Sequence, residues 1–338
     1  MTGTTELEAT LELGFEQHRT ELTAYCYRML GSAFEAEDAV QETLVRAWRS
    51  FDRFEGRSAV RSWLYRIASN GGFDMLKGRR RRALPMDLMD VGRSDAPVPQ
   101  ITSENMWVGP MPDGRVLAVA SDDPAVEAEM KESIRLAFVA ALQHLPPRQR
   151  AVLILREVLK WKATEVAELL DTTVVSVNSA LQRARSTLAD RNITEGSVSD
   201  TTDAEQQALL DRYVDAFERF DIDSLVKLLH EDATMQMPPY PMWLRGADEY
   251  AAWMRGPGSE CAGSRLAAIS VNGAPGYAQW RVDPNGGYSA WAIHVLQLSA
   301  GRIAGFDFFV DPNLFSLFDL PIHLDSWRHL DSSRGVSG

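Results

Sequence analysis

Two short helical stretches joined by a three-residue turn are the most constraining feature of this 338-residue chain. The stretch ATEVAELL is followed by DTT and then by VVSVNSALQRARSTLADR, in which Val177, Leu181 and Ala184 form one apolar stripe at helical spacing. Ala167 is a small residue where the two helices would touch, and Asp171 stands at a turn position usually given to glycine, which aspartate tolerates. The pattern predicts a helix-turn-helix, whose second helix can enter a DNA major groove.

The overall charge argues against DNA binding, because 35 lysines and arginines face 47 aspartates and glutamates. The charge is unevenly placed, however. Residues 46–82 contain eleven basic and three acidic residues, and residues 131–190 contain nine basic and six acidic residues. Because screening confines phosphate attraction to about 10 Å at ordinary salt, these two basic blocks matter more to DNA than the total does. We expect the acidic segments to face other partners.

Helical periodicity covers residues 6–82 and returns at Val126. Two apolar stripes precede the basic end KGRRRR; they comprise Leu22, Tyr25, Cys26, Met29 and Leu30, and then Val40, Leu44, Ala47, Trp48 and Phe51. Between the helical blocks the pattern dissolves into Pro, Gly, Asp and Ser. Trp107, Val108, Met111 and Val116 stand among these prolines, which favours an extended segment that docks in a groove, while composition alone is also compatible with a disordered spacer.

The pattern changes class after a polar stretch near residue 200. Two short helices, a strand at ATMQMPP and a helix at GADEYAAWM precede alternating runs between residues 264 and 312, which predict an antiparallel sheet. The segment FDFFVDPNLFSLFDLP is apolar enough to dock on the helical blocks, or it closes its own sheet. The last part of the chain is therefore expected to be an α+β domain.

The cysteines and the apolar runs indicate the redox environment and the cellular location of the protein. Cys26 and Cys261 lie in unlike contexts far apart in the sequence, so we expect two buried free thiols, and no metal-ligand spacing is present. Apolar runs are too short for a membrane span, and the start MTGTTELEAT lacks the features of a signal peptide. A cytoplasmic location is expected.

Two longer motifs carry a family resemblance. EAEDAVQETLVRAWRSFDRFEGRSAVRSWLYRIASN resembles region 2 of bacterial sigma factors, and LPPRQRAVLILREVLKWKATEVAELLDTTVVSVNSALQRAR resembles region 4. The two motifs occur in this order with nothing that resembles region 3 between them. This arrangement resembles that of the extracytoplasmic function (ECF) group of sigma factors. The C-terminal pattern resembles the cone-shaped SnoaL-like fold of nuclear transport factor two and the ketosteroid isomerases. The resemblance implies all-α sigma region 2 and region 4 domains followed by an α+β cone-shaped SnoaL-like domain.

The expected division of the chain follows from these motifs. Its parts are sigma region 2 at residues 6–84, an interdomain linker at 85–125, region 4 at 126–192, a second linker at 193–204, the SnoaL-like domain at 205–322 and a tail at 323–338. The resemblance implies a promoter-recognition subunit rather than an enzyme, without a cofactor or metal. The C-terminal domain would regulate it in cis through contact with the sigma domains, and the first linker would thread the polymerase channel later filled by RNA.

The resemblance and the outward positions of the second helix give the expected binding residues. The polymerase contacts, on the clamp helices of the largest subunit, would be Asp38, Gln41 and Glu42. Capture of an unpaired promoter base and contact with its phosphates would fall to Arg57, Ser58, Trp63, Asn70, Lys77, Arg79 and Arg80. The DNA-binding residues expected in region 4 are Arg148, Arg150, Thr173, Val175, Ser176, Ser179, Gln182 and Arg183.

Two other functions remain open from the residues. A one-component, ligand-sensing helix-turn-helix regulator would need the turn and second helix but leaves EDAVQE and WLYRIASN without a role. An isomerase or cyclase fused to a DNA-binding module would need a convergent acid-base pair in the cone, for which the candidates are His230, Asp232, His294 and Asp307. Each of these four is explained more simply as a cap, a turn or a hydrogen-bonded core residue.

Overall fold

The computed structural model describes residues 15–51, 54, 59–117, 123–189 and 202–327. The chain divides into two compact units. The helical unit comprises residues up to 82 together with 113–194, and the C-terminal unit comprises 83–112 together with the residues from 195 onward. Across these described ranges, no helix is both long and apolar enough to cross a membrane.

The helical unit is built from short and medium-length helices. Their bounds are α1 Arg19–Leu30, α2 Ala33–Ser50, α3 Val60–Leu76, α4 Pro124–Glu132, α5 Leu136–Leu142, α6 Pro147–Leu153, α7 Ala163–Leu169 and α8 Val174–Ala189. A single π-helical turn, Ile154–Val158, continues α6, and a four-residue turn at Asp113–Val116 precedes α4.

The centre of the helical unit is α1, in which every residue from Leu22 to Leu30 is buried. It ends at Gly31, whose φ of 71° is left-handed and whose N–H donates to the Tyr27 carbonyl at 2.7 Å. Glycine reaches this conformation without steric cost, which is why the helix stops there. The next helix starts at once, because the Ser32 hydroxyl accepts from the Glu35 N–H and caps α2.

The inward face of α2 differs from the predicted stripe. Its buried residues include Ala36, Val40, Thr43 and Ala47, whereas Trp48 is 53% exposed. The assignment of Trp48 to the same apolar stripe as Val40 and Ala47 was wrong. Residue 48 is turned by about 100° from residue 47 on a helix, so a narrow face centred on small residues leaves the indole outside.

The helix-turn-helix predicted from the sequence is present as α7, a turn, and α8. Asp171 has a φ of 49°, so it occupies the left-handed turn position as predicted. The Thr173 hydroxyl accepts from the Ser176 N–H at 3.1 Å and caps α8. Val177 and Leu181 are buried on the inner side of α8, which confirms the apolar stripe.

The C-terminal unit combines helices with one strongly bent sheet. Its elements are α9 Asp203–Glu218, α10 Ile222–Lys227, β1 Leu229–Gln236, β2 Trp243–Arg245, α11 Ala247–Arg255, β3 Arg265–Val271, β4 Ala274–Val282, β5 Tyr288–Ser299, β6 Arg302–Phe309 and β7 His323–Leu324. The strand order is β2-β1-β6-β5-β4-β3, and β7 pairs with β5. The expected antiparallel arrangement holds except between β1 and β6, which are parallel.

Aromatic side chains fill the concave side of this sheet. Tyr213 of α9 and Tyr250 of α11 are buried against Phe306 of β6, with ring centroids 5.8 and 5.1 Å apart. Phe308 stacks on Phe306 at 5.2 Å. The interior of the cone is therefore packed by its own side chains.

The apolar C-terminal segment closes its own sheet. A 3-10 helix at Pro312–Phe318 buries Phe315 against Trp280, with ring centroids 4.9 Å apart. Beyond it, β7 adds to β5 through the pairs Tyr288–Leu324 and Ser289–His323. Of the two roles open from the sequence, the structure supports closure of the sheet, because this segment is part of the core of the C-terminal unit.

Candidate functional site

A buried polar network joins the first and second helical blocks inside the helical unit. The Arg28 guanidinium donates to the Ser133 carbonyl at 3.0 Å and to its hydroxyl at 2.6 Å. The Gln143 amide donates to the Arg28 carbonyl at 3.2 Å. Both side chains are buried, so these bonds replace water for groups that would be costly to leave unpaired. The α1 segment and the α4–α5 segment are thereby fixed to each other.

Arg150 belongs to this network and not to an exposed surface. It is 3% exposed, and its guanidinium donates to Gln143 Oε1 at 2.6 Å, to the carbonyls of Gln143 and Leu145 at 3.0 and 3.1 Å, and to the Met29 carbonyl. Burial lowers the pKa of Arg150 to about 10. The expectation that Arg150 contacts DNA phosphate is corrected on this ground, because no face of its guanidinium is open to a phosphate. Arg148, two residues earlier, is exposed.

A second contact between the blocks is aromatic. The Trp161 ring lies 5.0 Å from the Tyr65 ring, and the Arg61 guanidinium lies 5.0 Å from the Trp161 centroid. Arg61 also forms a bidentate pair with Glu21, in which Nε lies 3.0 Å from Oε1 and Nη2 lies 2.7 Å from Oε2. Sequence reasoning missed this cluster, because its members are separated by as many as 140 positions and share no periodic signal.

One face of α2 is exposed and mixes acidic with aromatic side chains. Asp38, Gln41 and Glu42 are exposed, as expected for a docking surface. Phe34 and Trp48 are 40% and 53% exposed and recur with them at three- and four-residue steps. The polar residues were predicted from the sequence, whereas the two aromatic residues were missed. Their positions 34, 38, 41, 45 and 48 are one helical stripe opposite the buried one, which is the signal that could have found them.

The basic end of α3 lies at the surface. Lys77, Arg79 and Arg80 are exposed, and Arg79 is paired with Glu35 at 2.5 Å. Asn70 and Lys77 line an open cleft of about 670 Å³ together with Arg148 of α6. The structure therefore brings three predicted DNA-binding residues from the two blocks to one cleft. Arg57 and Ser58 lie outside the described residues.

Trp63 lies in an aromatic cluster at the start of α3. Its ring is 4.9 Å from Phe54 and 6.3 Å from both Phe15 and Phe51. Phe15 is buried, while Trp63 is only half-buried. The cluster fixes the indole and leaves part of it at the surface, which is an arrangement that a base could stack on.

The outer face of α8 carries the residues expected to reach DNA. Val175 is 75% exposed, Ser176, Gln182 and Arg183 are exposed, and Ser179 is half-buried. Gln182 also borders a groove with Asn178 and Arg156. Thr173 is exposed, but its hydroxyl oxygen already accepts the Ser176 N–H and caps the helix.

The candidate acid-base residues of the cone do not converge. In the β5–β6 ladder His294 is opposite Phe308, and Asp307 is opposite Val295. Directly paired residues lie on the same face of a sheet and successive residues alternate, so His294 and Asp307 project from opposite faces. Asp232 is exposed. His294 and Asp307 therefore form no acid-base pair.

Each buried candidate has hydrogen-bonding partners of its own. The His294 ring is bonded to Tyr213 Oη at 3.0 Å and to Gln279 Oε1 at 2.8 Å, and burial lowers its pKa to about 3. Asp307 accepts from Gln236 and, at 2.9 Å, from Gln297, and burial raises its pKa to about 6.

His230 is half-buried, and its ring is bonded to the Ser299 carbonyl at 2.9 Å. Within the described ranges, no group of three or more His, Cys, Asp or Glu side chains could hold a metal ion.

Comparison with known proteins gives three family matches along the chain. Sigma-70 region 2 matches residues 15–82, Sigma-70 region 4 matches residues 135–188, and the SnoaL-like domain matches residues 210–306. Over 315 residues the chain is 44% identical to the ECF RNA polymerase sigma factor SigG of Mycobacterium tuberculosis. The aligned residues are 90% of this chain and 82% of that protein.

A second relative, the ECF RNA polymerase sigma factor SigJ of the same organism, is 27% identical over 248 residues, which are 72% of this chain and 71% of that protein. The crystal structure of the M. tuberculosis extracytoplasmic function sigma factor SigJ superimposes with a TM-score of 0.55 at 23% identity, and covers 91% of this chain and 99% of that one. The two chains share a fold.

Proposed function

The chain belongs to the ECF group of RNA polymerase sigma factors, and we propose which of its surfaces carry out that function. As a sigma factor it binds core RNA polymerase and directs promoter recognition and transcription initiation. A free-standing ligand-sensing regulator is not favoured, because such a protein has no need of region 2. The direct test is run-off transcription by core polymerase with and without this chain, followed by sequencing of the transcript starts.

The polymerase surface we propose is the exposed face of α2. The observation that supports it is the pair of exposed aromatic residues, Phe34 and Trp48, which flank Asp38, Gln41 and Glu42. Buried aromatic anchors with a polar rim are typical of protein interfaces, and tryptophan is among the residues that contribute most to binding energy. We assign this face to the clamp helices of the largest subunit.

Trp48→Ala is expected to weaken binding to core polymerase by about fivefold or more, because an interface tryptophan typically contributes over 1 kcal/mol. Asp38→Arg should weaken it as well, through reversal of charge. Both side chains are exposed, so the thermal unfolding temperature should stay unchanged. Affinity for core enzyme is measured by fluorescence anisotropy. Asp248→Arg, an equal charge reversal at an exposed position of α11, is the control.

If both α2 variants and Asp248→Arg bind core polymerase as tightly as the wild type does, this face of α2 is not the polymerase surface. It would leave the family assignment intact, because that assignment depends on the sequence matches and the fold.

The duplex-reading surface we propose is the outer face of α8. Ser176, Ser179 and Gln182 are placed to contact base edges, and Val175 offers an apolar contact to a thymine methyl group. Arg183 and Arg148 are assigned to phosphates, since both are exposed and neither forms an ion pair with another residue that the structure describes. Thr173 is assigned chiefly to capping α8, because its hydroxyl oxygen accepts from the Ser176 N–H.

Gln182→Ala is expected to reduce the preference among upstream duplex sequences, because it removes a side chain that can bond a base edge. Arg183→Ala should instead weaken binding to all sequences and reduce the slope of log K against log salt by about one. Binding is measured on a small promoter library at several salt concentrations. The assignment is wrong if the two variants lose affinity in the same sequence-independent way.

For the melted strand we propose a path along α3. Trp63 is assigned to stacking on an unpaired base, and Asn70 to hydrogen bonding with it. Lys77, Arg79 and Arg80 are assigned to the phosphates that follow. Support comes from the half-buried Trp63 ring in its aromatic cluster and from the cleft shared by Asn70, Lys77 and Arg148.

We further propose that the SnoaL-like domain regulates the sigma factor in cis. Its residues share the chain with two basic blocks, and residues 191–338 contain 20 acidic and 11 basic residues. A tethered domain acts at a high effective concentration, on the order of millimolar for a short linker. The separation of His294 and Asp307 on opposite faces supports regulation over acid-base catalysis.

A further inference from the structure

The segment of residues 83–112, here called the strap, is bound to the SnoaL-like domain within the C-terminal unit. Trp243 of β2 contacts it through both its side chain and its main chain. The indole N–H donates to the Met89 carbonyl at 2.8 Å, and the Trp243 carbonyl accepts from the Gly92 N–H at 2.8 Å. A side chain and a main chain of the domain thus bind neighbouring residues of the strap.

The far end of the strap is bound by the β3–β4 turn. Asn272 Oδ1 accepts from the Met111 N–H at 2.9 Å, and the Asn272 N–H donates to the Met111 carbonyl at 3.0 Å. Between the two ends, the Thr102 N–H and hydroxyl both donate to the Pro239 carbonyl, at 3.1 and 3.0 Å. Val108 and Met111 are fully buried. The strap is therefore part of the domain's packing.

The first turn of the strap caps a buried polar patch on the convex face of the sheet. Gln236 uses its amide nitrogen to donate to Asp307 and its amide oxygen to accept from the Met86 N–H at 3.3 Å. Gln297 donates to the other oxygen of Asp307. Asp307 is completely buried, so this patch would gain water if the strap left.

The strap also returns onto its own start. The Ala83 N–H donates to the Met106 carbonyl at 2.9 Å, and the Val108 N–H donates to the Ala83 carbonyl at 3.0 Å. Residues 83 and 108 are thus neighbours, and the intervening residues form a closed loop. A free segment of 30 residues could extend to about 100 Å, but the five residues 108–112 reach only about 17 Å. Closure of the loop shortens the connection between regions 2 and 4.

We propose that the SnoaL-like domain regulates the sigma factor by binding the strap as a closed loop. Together with the buried network of Arg28, Gln143 and Arg150, the closed loop prevents regions 2 and 4 from separating to contact two sites of one promoter. This inference rests on the proposed function. To the proposed regulation in cis it adds three points: how the domain acts, which surface of the domain binds the strap, and which residues hold the strap there. Release of the strap by the domain lengthens the connection, so that regions 2 and 4 can reach two sites of one promoter once the buried network opens.

The first test changes the domain and leaves the strap sequence untouched. Trp243→Phe removes the indole donor but keeps an aromatic ring. Asn272→Gly removes the side-chain acceptor and suits the left-handed φ of 53° at that position. With both changes, hydrogen exchange in the strap should accelerate about 30-fold, because two hydrogen bonds of about 1 kcal/mol each are lost. Run-off transcription with core polymerase should rise several-fold.

The second test changes the strap and leaves the domain untouched. Val108→Ser with Met111→Ser removes two buried apolar side chains, and Val98→Ser, at a 44% exposed strap position, is the matched control. Exchange of β4 and β5 peptides shows whether the sheet stays folded in every variant. The domain variant excludes an altered strap contact with polymerase as the cause, and the strap variant excludes a damaged domain.

The proposal is overturned if strap exchange accelerates in both variants while transcription stays at the wild-type level, or if strap exchange does not respond. In both cases wild-type transcription still supports the sigma function. If the strap is released and no variant, nor the wild type, yields a transcript with core polymerase, the proposed function itself fails and the proposal falls with it.

Discussion

Arg150→Ala is expected to lower the free energy of unfolding of the helical unit by about 3–5 kcal/mol. The guanidinium makes four hydrogen bonds to buried acceptors, and bonds from a charged donor contribute roughly 1.5–3 kcal/mol each. Part of this is offset by the cost of removing the charged guanidinium from water, which also lowers the pKa of Arg150 to about 10. The hydrogen bonds outweigh that cost.

The measurement is urea unfolding of the full chain, followed by pulsed hydrogen exchange of peptides from α1 and α6. Arg148→Ala is the matched control, since Arg148 is the same residue type on the same helix but exposed. It should change stability by less than about 0.5 kcal/mol and weaken DNA binding. Equal stability of the Arg150 variant and the wild type would mean that the network does not bind the two helical blocks together.

Arg148 and Arg150 also show where sequence reasoning reaches its limit. Both stand in PPRQR, both are basic, and both were predicted to contact phosphate. What separates them is the position of Gln143 and of the carbonyls of Met29 and Leu145, which the fold brings to one side of α6 only. A local sequence pattern cannot indicate an acceptor that lies 121 positions away, as the Met29 carbonyl does.

Local signals were reliable where a single element decides the outcome. The stripe of Val177 and Leu181 and the left-handed Asp171 each depend on a few adjacent residues. The same reasoning failed for Trp48, because the choice between two helix faces depends on which neighbour covers one of them.

The remaining differences between the predicted and the observed fold arise from pairing between distant segments. The parallel ladder between β1 and β6 joins residues about 70 positions apart, and alternating hydrophobicity carries no information on strand direction. Apolar residues among prolines favoured docking of part of the linker expected at residues 85–125, and residues 83–112 do pack within the C-terminal unit. Their partner, the SnoaL-like domain of the same chain, was not contained in the pattern.

The stability of the C-terminal unit is expected to depend on pH in opposite directions in Asp307→Asn and His294→Gln. Burial raises the pKa of Asp307 from 3.8 to about 6, so the folded state binds its proton more tightly than the unfolded state does. Its contribution to stability is complete below pH 3.8 and is lost as the pH rises through 6.

His294 acts in the opposite sense, because burial lowers its pKa from 6.5 to about 3. The unfolded state binds this proton more tightly, so the stabilising contribution is present above pH 6.5 and is lost as the pH falls towards 3. Between pH 4 and 6 the two groups therefore each change the free energy of unfolding by about 1.4 kcal/mol per pH unit, with opposite signs. In the wild type these two slopes cancel.

Removing one group should expose the slope of the other. Asp307→Asn keeps the size of the side chain, and its amide can still accept from Gln236, so the remaining dependence is that of His294: the unit becomes about 3 kcal/mol more stable from pH 4 to pH 6. His294→Gln should become less stable by a similar amount over the same range. Urea unfolding at each pH, read by pulsed exchange of β5 peptides at one fixed labelling pH, measures both. Because all other titrating groups are common to the three proteins, the difference of each variant from the wild type isolates the group removed. If the free energy of unfolding depends on pH in the same way in both variants, the pKa values of Asp307 and His294 are not shifted in opposite directions by burial.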